Sequence, residues 1–197
     1  MRLDTGGPGE LGVSTDYGVV FLGRGRKSGP VEFTSWFGDG PSFETGIVEP
    51  LGDGLFTTRA EIEIPRVPIH WSEPRAGTRV LVRGRRPSGS GTGAAPFAFE
   101  AEVASDPRIE GLVLRSSGSL RALGEGEAGA GVYLEQEDGG LALLGLVTGR
   151  VVLSGPTGER EYFTVAGPRE LWRLASHARD LDRPRWPAAR EDVLPGS

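Results

Sequence analysis

The sequence predicts an all-β fold with one helix at its C-terminal end. Three observations carry this expectation. Short apolar runs of Val, Leu, Ile and Phe recur along the chain, several of them alternating with polar residues as a strand with one buried face requires. The chain holds 32 Gly and 15 Pro in 197 residues, and these cluster between the runs, where tight turns need them. Only the stretch after Gly167-Pro168 sets its apolar residues at helical spacing.

Taken in order, residues 1–11 read as a flexible Gly/Pro leader. Strand-like runs follow at Tyr17–Leu22, Val31–Phe37, Gly46–Val48, Leu55–Thr58 and Ala60–Ile64. Turn formers such as Gly38-Asp39-Gly40-Pro41 and Gly52-Asp53-Gly54 divide them. Strands of this number and length suit a small barrel, so residues 12–76 are expected to form an N-terminal barrel and a crossover. The Pro-rich segment from Pro65 to Gly77 is the crossover. Six more strands are expected within residues 77–182: 79–84, 97–103, 112–115, 132–135, 141–147 and 161–165. A helix then starts at Pro168, whose missing N–H is harmless in a first turn; Leu171, Leu174, Ala175, Ala178 and Leu181 form its apolar stripe. Pro184, Pro187 and Pro195 end it, leaving residues 183–197 as a tail.

Composition narrows the function classes. A content of 37% hydrophobic and 25% charged residues is ordinary for a globular protein. The net charge of -5 gives no electrostatic reason to expect nucleic acid or an anionic membrane as partner. No segment approaches the roughly 20 apolar residues of a membrane span, and the N-terminus lacks the apolar core of a signal peptide. With no cysteine, a reducing cytoplasmic setting is expected. Among the 22 cationic residues only Lys27 is lysine, the bias of a GC-rich bacterial genome. Two histidines and no cysteine make no familiar metal site, and no cofactor is implied.

The most informative segment is Gly126-Glu127-Ala128-Gly129-Ala130-Gly131, followed by the short apolar run Val132–Leu134 and then by Leu141–Gly149. It resembles the G-D-S-G-x-P region of trypsin-like (chymotrypsin-fold) serine proteases, where the nucleophile loop is followed by a short strand, a turn and an apolar strand. Glu127 for Asp and Gly131 for Pro depart from that pattern. The resemblance implies two antiparallel β-barrels of chymotrypsin type, the N-terminal one reduced or diverged, with a C-terminal α-helix. It puts Ala128 in the nucleophile slot. A methyl group can neither attack a carbonyl nor pass a proton to a base. The family's histidine slot would fall near Thr57-Thr58-Arg59-Ala60-Glu61, on Glu61, and no Asp-containing segment supplies a third member. Loss of the nucleophile or base typically costs about 10⁴–10⁶ in turnover.

The resemblance therefore implies an inactive protease-like domain that serves as a protein- or peptide-binding or scaffolding module. The binding residues would be Gly126, Glu127, Ala128, Gly129, Gly145, Thr148 and Gly149, around a groove that holds extended peptide by strand addition. Two alternatives stand beside it: an active serine hydrolase with a substituted or shifted nucleophile, and a purely structural subunit of an assembly. Gly126, Ala128 and Gly129 either present backbone N–H groups as an anion nest or simply permit a tight turn. Glu125 and Glu127 read as solvated. Arg79 and Arg83 share a strand face, either solvated or facing an acidic partner. Trp36, Trp71 and Trp172 read as core or seam anchors.

Overall fold

A computed structural model describes residues 2–4, 10–23, 31–34, 42–45, 48–58, 65–87, 94–116, 128–156 and 158–182. In the N-terminal half, β1 (Arg2–Asp4), β2 (Glu10–Thr15), β3 (Gly18–Leu22), β4 (Val31–Thr34), β5 (Ser42–Thr45), β6 (Val48–Gly52) and β7 (Leu55–Thr58) form one antiparallel sheet. Its order is β5-β4-β1-β2-β3-β7-β6. In the C-terminal half, β8 (Arg79–Pro87), β9 (Ala94–Ala104), β10 (Leu112–Ser116), β11 (Gly131–Glu135), β12 (Leu141–Gly155) and β13 (Gly158–Ala166) close into an antiparallel barrel ordered β10-β13-β12-β11-β8-β9. The α1 helix spans Pro168–Asp182.

One strand falls inside the segment expected to be a flexible leader, and a second begins there. β1 pairs with both β2 and β4, and β2 begins at Glu10. A strand of three residues is too short to show alternation; its neighbours' backbone groups define it. Leu11, placed in the leader by its glycine-rich surroundings, is buried among the barrel residues Val82, Ala130 and Val132. The N-terminal segment thus reaches into the core of the other half. Residues 35–41, 59–64, 117–127 and 183–197 lie outside the described residues, and with them the expected strand Ala60–Ile64, Trp36 and the Pro-rich tail.

The barrel interior follows from alternation. Val80 and Val82 of β8, Ala101 and Val103 of β9, Leu114 of β10, Val132 of β11, Leu144 of β12 and Phe163 of β13 all point inward and are buried. A second cluster fills the seam between the halves, joining Val20, Leu51 and Leu55 to Leu143, Leu146, Ala166, Leu171 and Leu174. Residues 65–77 run along this seam as a strap. The Val67 N–H donates to Ser14 O on one side, while Leu143 N–H donates to Pro68 O and His70 N–H to Leu143 O on the other.

The helix start is built as its sequence suggests. The Gly167 carbonyl accepts from the N–H groups of Glu170 and Leu171, and the Glu170 carboxylate accepts from Gly167 N–H at 2.8 Å. This is the return half of a capping box. Leu171, Leu174, Ala175 and Ala178 are buried, one stripe of the helix facing the seam. On its other side Arg173 reaches Asp53 and the Leu51 carbonyl, and His177 meets Glu49. No helix among the described residues is long and apolar enough to cross a membrane.

One buried charge ties the barrel together. In the β9–β10 turn, one oxygen of Asp106 accepts from Arg108 N–H and Nε, and the other accepts from Arg108 Nη2 and the Tyr162 hydroxyl. The hydrogen bonds from Arg108 hold the Asp106 carboxyl well below the usual carboxylate range. A depressed folded pKa contributes stability that is present above the unfolded value, about 3.9, and is lost as pH falls below it. Asp106→Asn is therefore expected to lower the urea midpoint by a constant amount between pH 7 and pH 5. The gap to the native protein should narrow steadily from about pH 4 down to pH 2. A gap independent of pH over that range would show that the charge contributes nothing.

Candidate functional site

The turn that carries Ala128 lies between the third and fourth barrel strands, at the entry to β11. Gly129 takes a left-handed backbone (φ 92°), which favours glycine. Its N–H donates to Val147 O at 2.8 Å, and Val147 N–H donates to Ala130 O at 2.9 Å. The turn is thereby stitched to β12. The Gly129 N–H is consumed inside the fold and cannot join Ala128 in an anion nest. Gly126, Glu125, Glu127 and Glu61 lie outside the described residues.

The residues expected to line a peptide groove separate into two groups. Gly145 is buried, and a Cβ there would run into the Ala166 carbonyl and stand 2.6 Å from Val165 Cγ1. The absence of a side chain there lets β12 and β13 pack closely. Thr148 and Gly149 are differently placed. Thr148 is exposed, and its hydroxyl donates to that of Thr164 at 2.8 Å. β12 pairs with β11 only through Leu141–Leu146 and with β13 as far as Gly155. From Thr148 onward, therefore, β12 has a partner on the β13 side alone among the described residues. That free edge begins one residue beyond Val147, to which the Ala128–Gly129 turn is bonded.

Neither histidine is set up as a general base by a carboxylate beside Ala128. His177 is on α1 and engages Glu49 of β6; His70 is on the strap, its backbone tied to Leu143. Among the described residues no cluster of His, Cys, Asp and Glu is arranged to hold a metal ion.

A cleft of about 470 Å³ opens where β2 passes the barrel strands β8, β9 and β11. Leu11, Val13, Phe97 and Ala130 supply apolar walls, and Gly129–Gly131 contribute backbone. Sequence reasoning missed one of its polar groups, Tyr133. Residues two apart on a strand share a face, so Tyr133 follows Gly131, and its phenol lies directly over that glycine. A tyrosine two positions after a strand glycine was the available signal. Burial pushes the Tyr133 hydroxyl up to about 12, with the positive charge of Arg83 pulling the other way. Arg83 pairs across strands with Gly131, which places it at the same spot. Trp71 and Trp172 meet edge to face at the seam, although Trp172 is half exposed and carries Arg179 over its ring.

No protein-family profile matches the sequence, and no curated relative does. Solved structures do match in shape. A mutant of human heparin binding protein superposes with a TM-score of 0.61 at 15% identity, over 95% of this chain and 93% of its own. The inactive form of a serine-to-alanine mutant of Rv3671c from M. tuberculosis gives 0.54 at 19% identity, covering 93% and 87%. The apo MamO protease domain from Magnetospirillum magneticum gives 0.50 at 18% identity, covering 89% and 93%. The fold is accordingly that of the chymotrypsin-type serine proteases, with one closed six-stranded barrel, a second sheet in place of the other barrel, and a C-terminal helix.

Proposed function

We propose that this protein is a non-hydrolytic member of that fold which binds an extended segment of a protein partner. The observation that carries the reading is Ala128, a methyl group in the turn between the third and fourth barrel strands, where the resemblance puts a serine nucleophile. The edge of β12 from Thr148 onward, without a partner on its second side among the described residues, supports the binding half of the proposal. Unpaired backbone N–H and C=O groups at a sheet edge can take up another strand, and the groove needs no cofactor to do so. Net charge gives no reason to invoke nucleic acid.

The test has two arms. A serine-directed phosphonate is expected to leave both the native protein and Ala128→Ser unlabelled, since an isolated serine without a base is a poor nucleophile. Labelling of the native protein would instead support a hydrolase with a shifted nucleophile. Selection from a displayed library of linear peptides is expected to enrich binders that slow amide exchange along residues 148–154. No enrichment, or protection confined to other surfaces, would favour a structural subunit.

A further inference from the structure

We propose that the cleft between β2 and the barrel binds a small apolar carboxylate, its acid group held by the Tyr133 hydroxyl and the Arg83 guanidinium. This inference stands apart from peptide binding at the β12 edge, since Thr148 and Gly149 do not line the cleft.

Size comes first. About 470 Å³ is in the range of pockets that take small molecules, roughly 300–1,000 Å³. The walls are largely apolar, with Leu11, Val13, Pro96, Phe97 and Ala130 facing the space. Such walls favour a ligand with a hydrocarbon or aryl body and disfavour a strongly hydrated polyanion.

The polar groups fix the other end. The Tyr133 side chain lines the cleft, and burial is the main force on the ionisation of its hydroxyl. A tyrosine hydroxyl is a protonated donor at neutral pH, and burial shifts it further in that direction. Arg83 makes no ion pair among the described residues, and its charge acts on Tyr133. Guanidinium offers donors only. A phenol O–H and a guanidinium that both line the cleft and act on each other electrostatically offer donors to an anionic acceptor, and a single carboxylate fits beside an apolar body. Gly131 makes the arrangement possible, because a side chain there would displace the phenol.

The probe is octanoate, titrated against the full chain by calorimetry, with 1-octanol as the uncharged counterpart. Saturable octanoate binding is expected, weakened about tenfold in Tyr133→Phe and about tenfold in Arg83→Gln, as loss of a charge-assisted hydrogen bond implies. Octanol is expected to bind more weakly and to be indifferent to Arg83→Gln. Thermal unfolding of both variants checks that they fold; Arg83 is exposed, so its replacement should not disturb the barrel. Absence of saturable octanoate binding to the native protein would overturn the proposal. So would octanol binding as tightly as octanoate, or octanoate affinity unchanged in both folded variants. A free-acid peptide, acetyl-Gly-Phe-Leu, binding more tightly than octanoate and more tightly than its own amide would overturn the small-molecule assignment in favour of a polypeptide C-terminus.

Discussion

Replacing Leu174 with alanine is expected to destabilise the protein by about 2–5 kcal/mol, the usual cost of opening a leucine-sized cavity in a core. Leu174 has 0% exposure and sits in the seam cluster with Leu171, Val20, Leu55 and Leu146. The cavity would therefore open between the helix, the N-terminal sheet and the barrel at once, where three elements would have to shift together to fill it. The polar contacts of the same helix cannot compensate. Arg173 and Asp53 are 47% and 66% exposed, and exposed ion pairs of this kind contribute about 0–1 kcal/mol. Docking of α1 is thus a matter of buried leucine. The measurement is the denaturant midpoint at constant slope, with Arg173→Ala alongside. A midpoint that moves more in Arg173→Ala than in Leu174→Ala would mean that charge, not packing, holds the helix.

Much of this architecture was legible in the residues. Strict alternation at Arg79–Val82 and Phe97–Val103 marks strands buried on one face, and these became β8 and β9 of the barrel. The helix announced itself through Gly167-Pro168 and the spacing of Leu171, Leu174 and Ala178. What escaped was structure defined by partners instead of pattern. β1 is three residues long and is a strand only because β2 and β4 flank it. β12 and β13 extend well past the expected 141–147 and 161–165, out to Gly155 and Gly158. Those added residues are mostly exposed, so no buried face forced an alternation into them. At the site, the Ala128 turn was readable from its glycines, whereas the cleft was not. Its walls come from Leu11, Phe97 and Tyr133, three positions far apart in sequence that the pairing of β9 and β11 with β8 and the passage of β2 beside them bring together. Gly145 is a glycine whose lack of a side chain serves the close approach of the neighbouring strand.

The same question arises for Gly129, and it can be decided by substitution. Gly129→Val is expected to cost roughly 2–5 kcal/mol. Two effects add. A left-handed backbone, here at φ 92°, costs a non-glycine residue about 1–2 kcal/mol. A Cβ would also stand 2.7 Å from the Leu11 carbonyl, a backbone atom of a paired strand that cannot swing aside, and overpacking typically costs about 1–3 kcal/mol. Relief by moving the turn is blocked on its other side, where Gly129 N–H is bonded to Val147 O. The turn is a junction of β2, β11 and β12, so its glycine is required by the fold whether or not a nucleophile stands beside it. Ala128→Ser is the control. It adds one hydroxyl at a half-buried position of the turn and is expected to shift stability by no more than about 0.5 kcal/mol. Thermal unfolding of the two variants side by side makes the comparison. Equal melting temperatures would show that β2 does not close on the turn, and the glycine frame around Ala128 would then have to be explained by a ligand backbone approaching it.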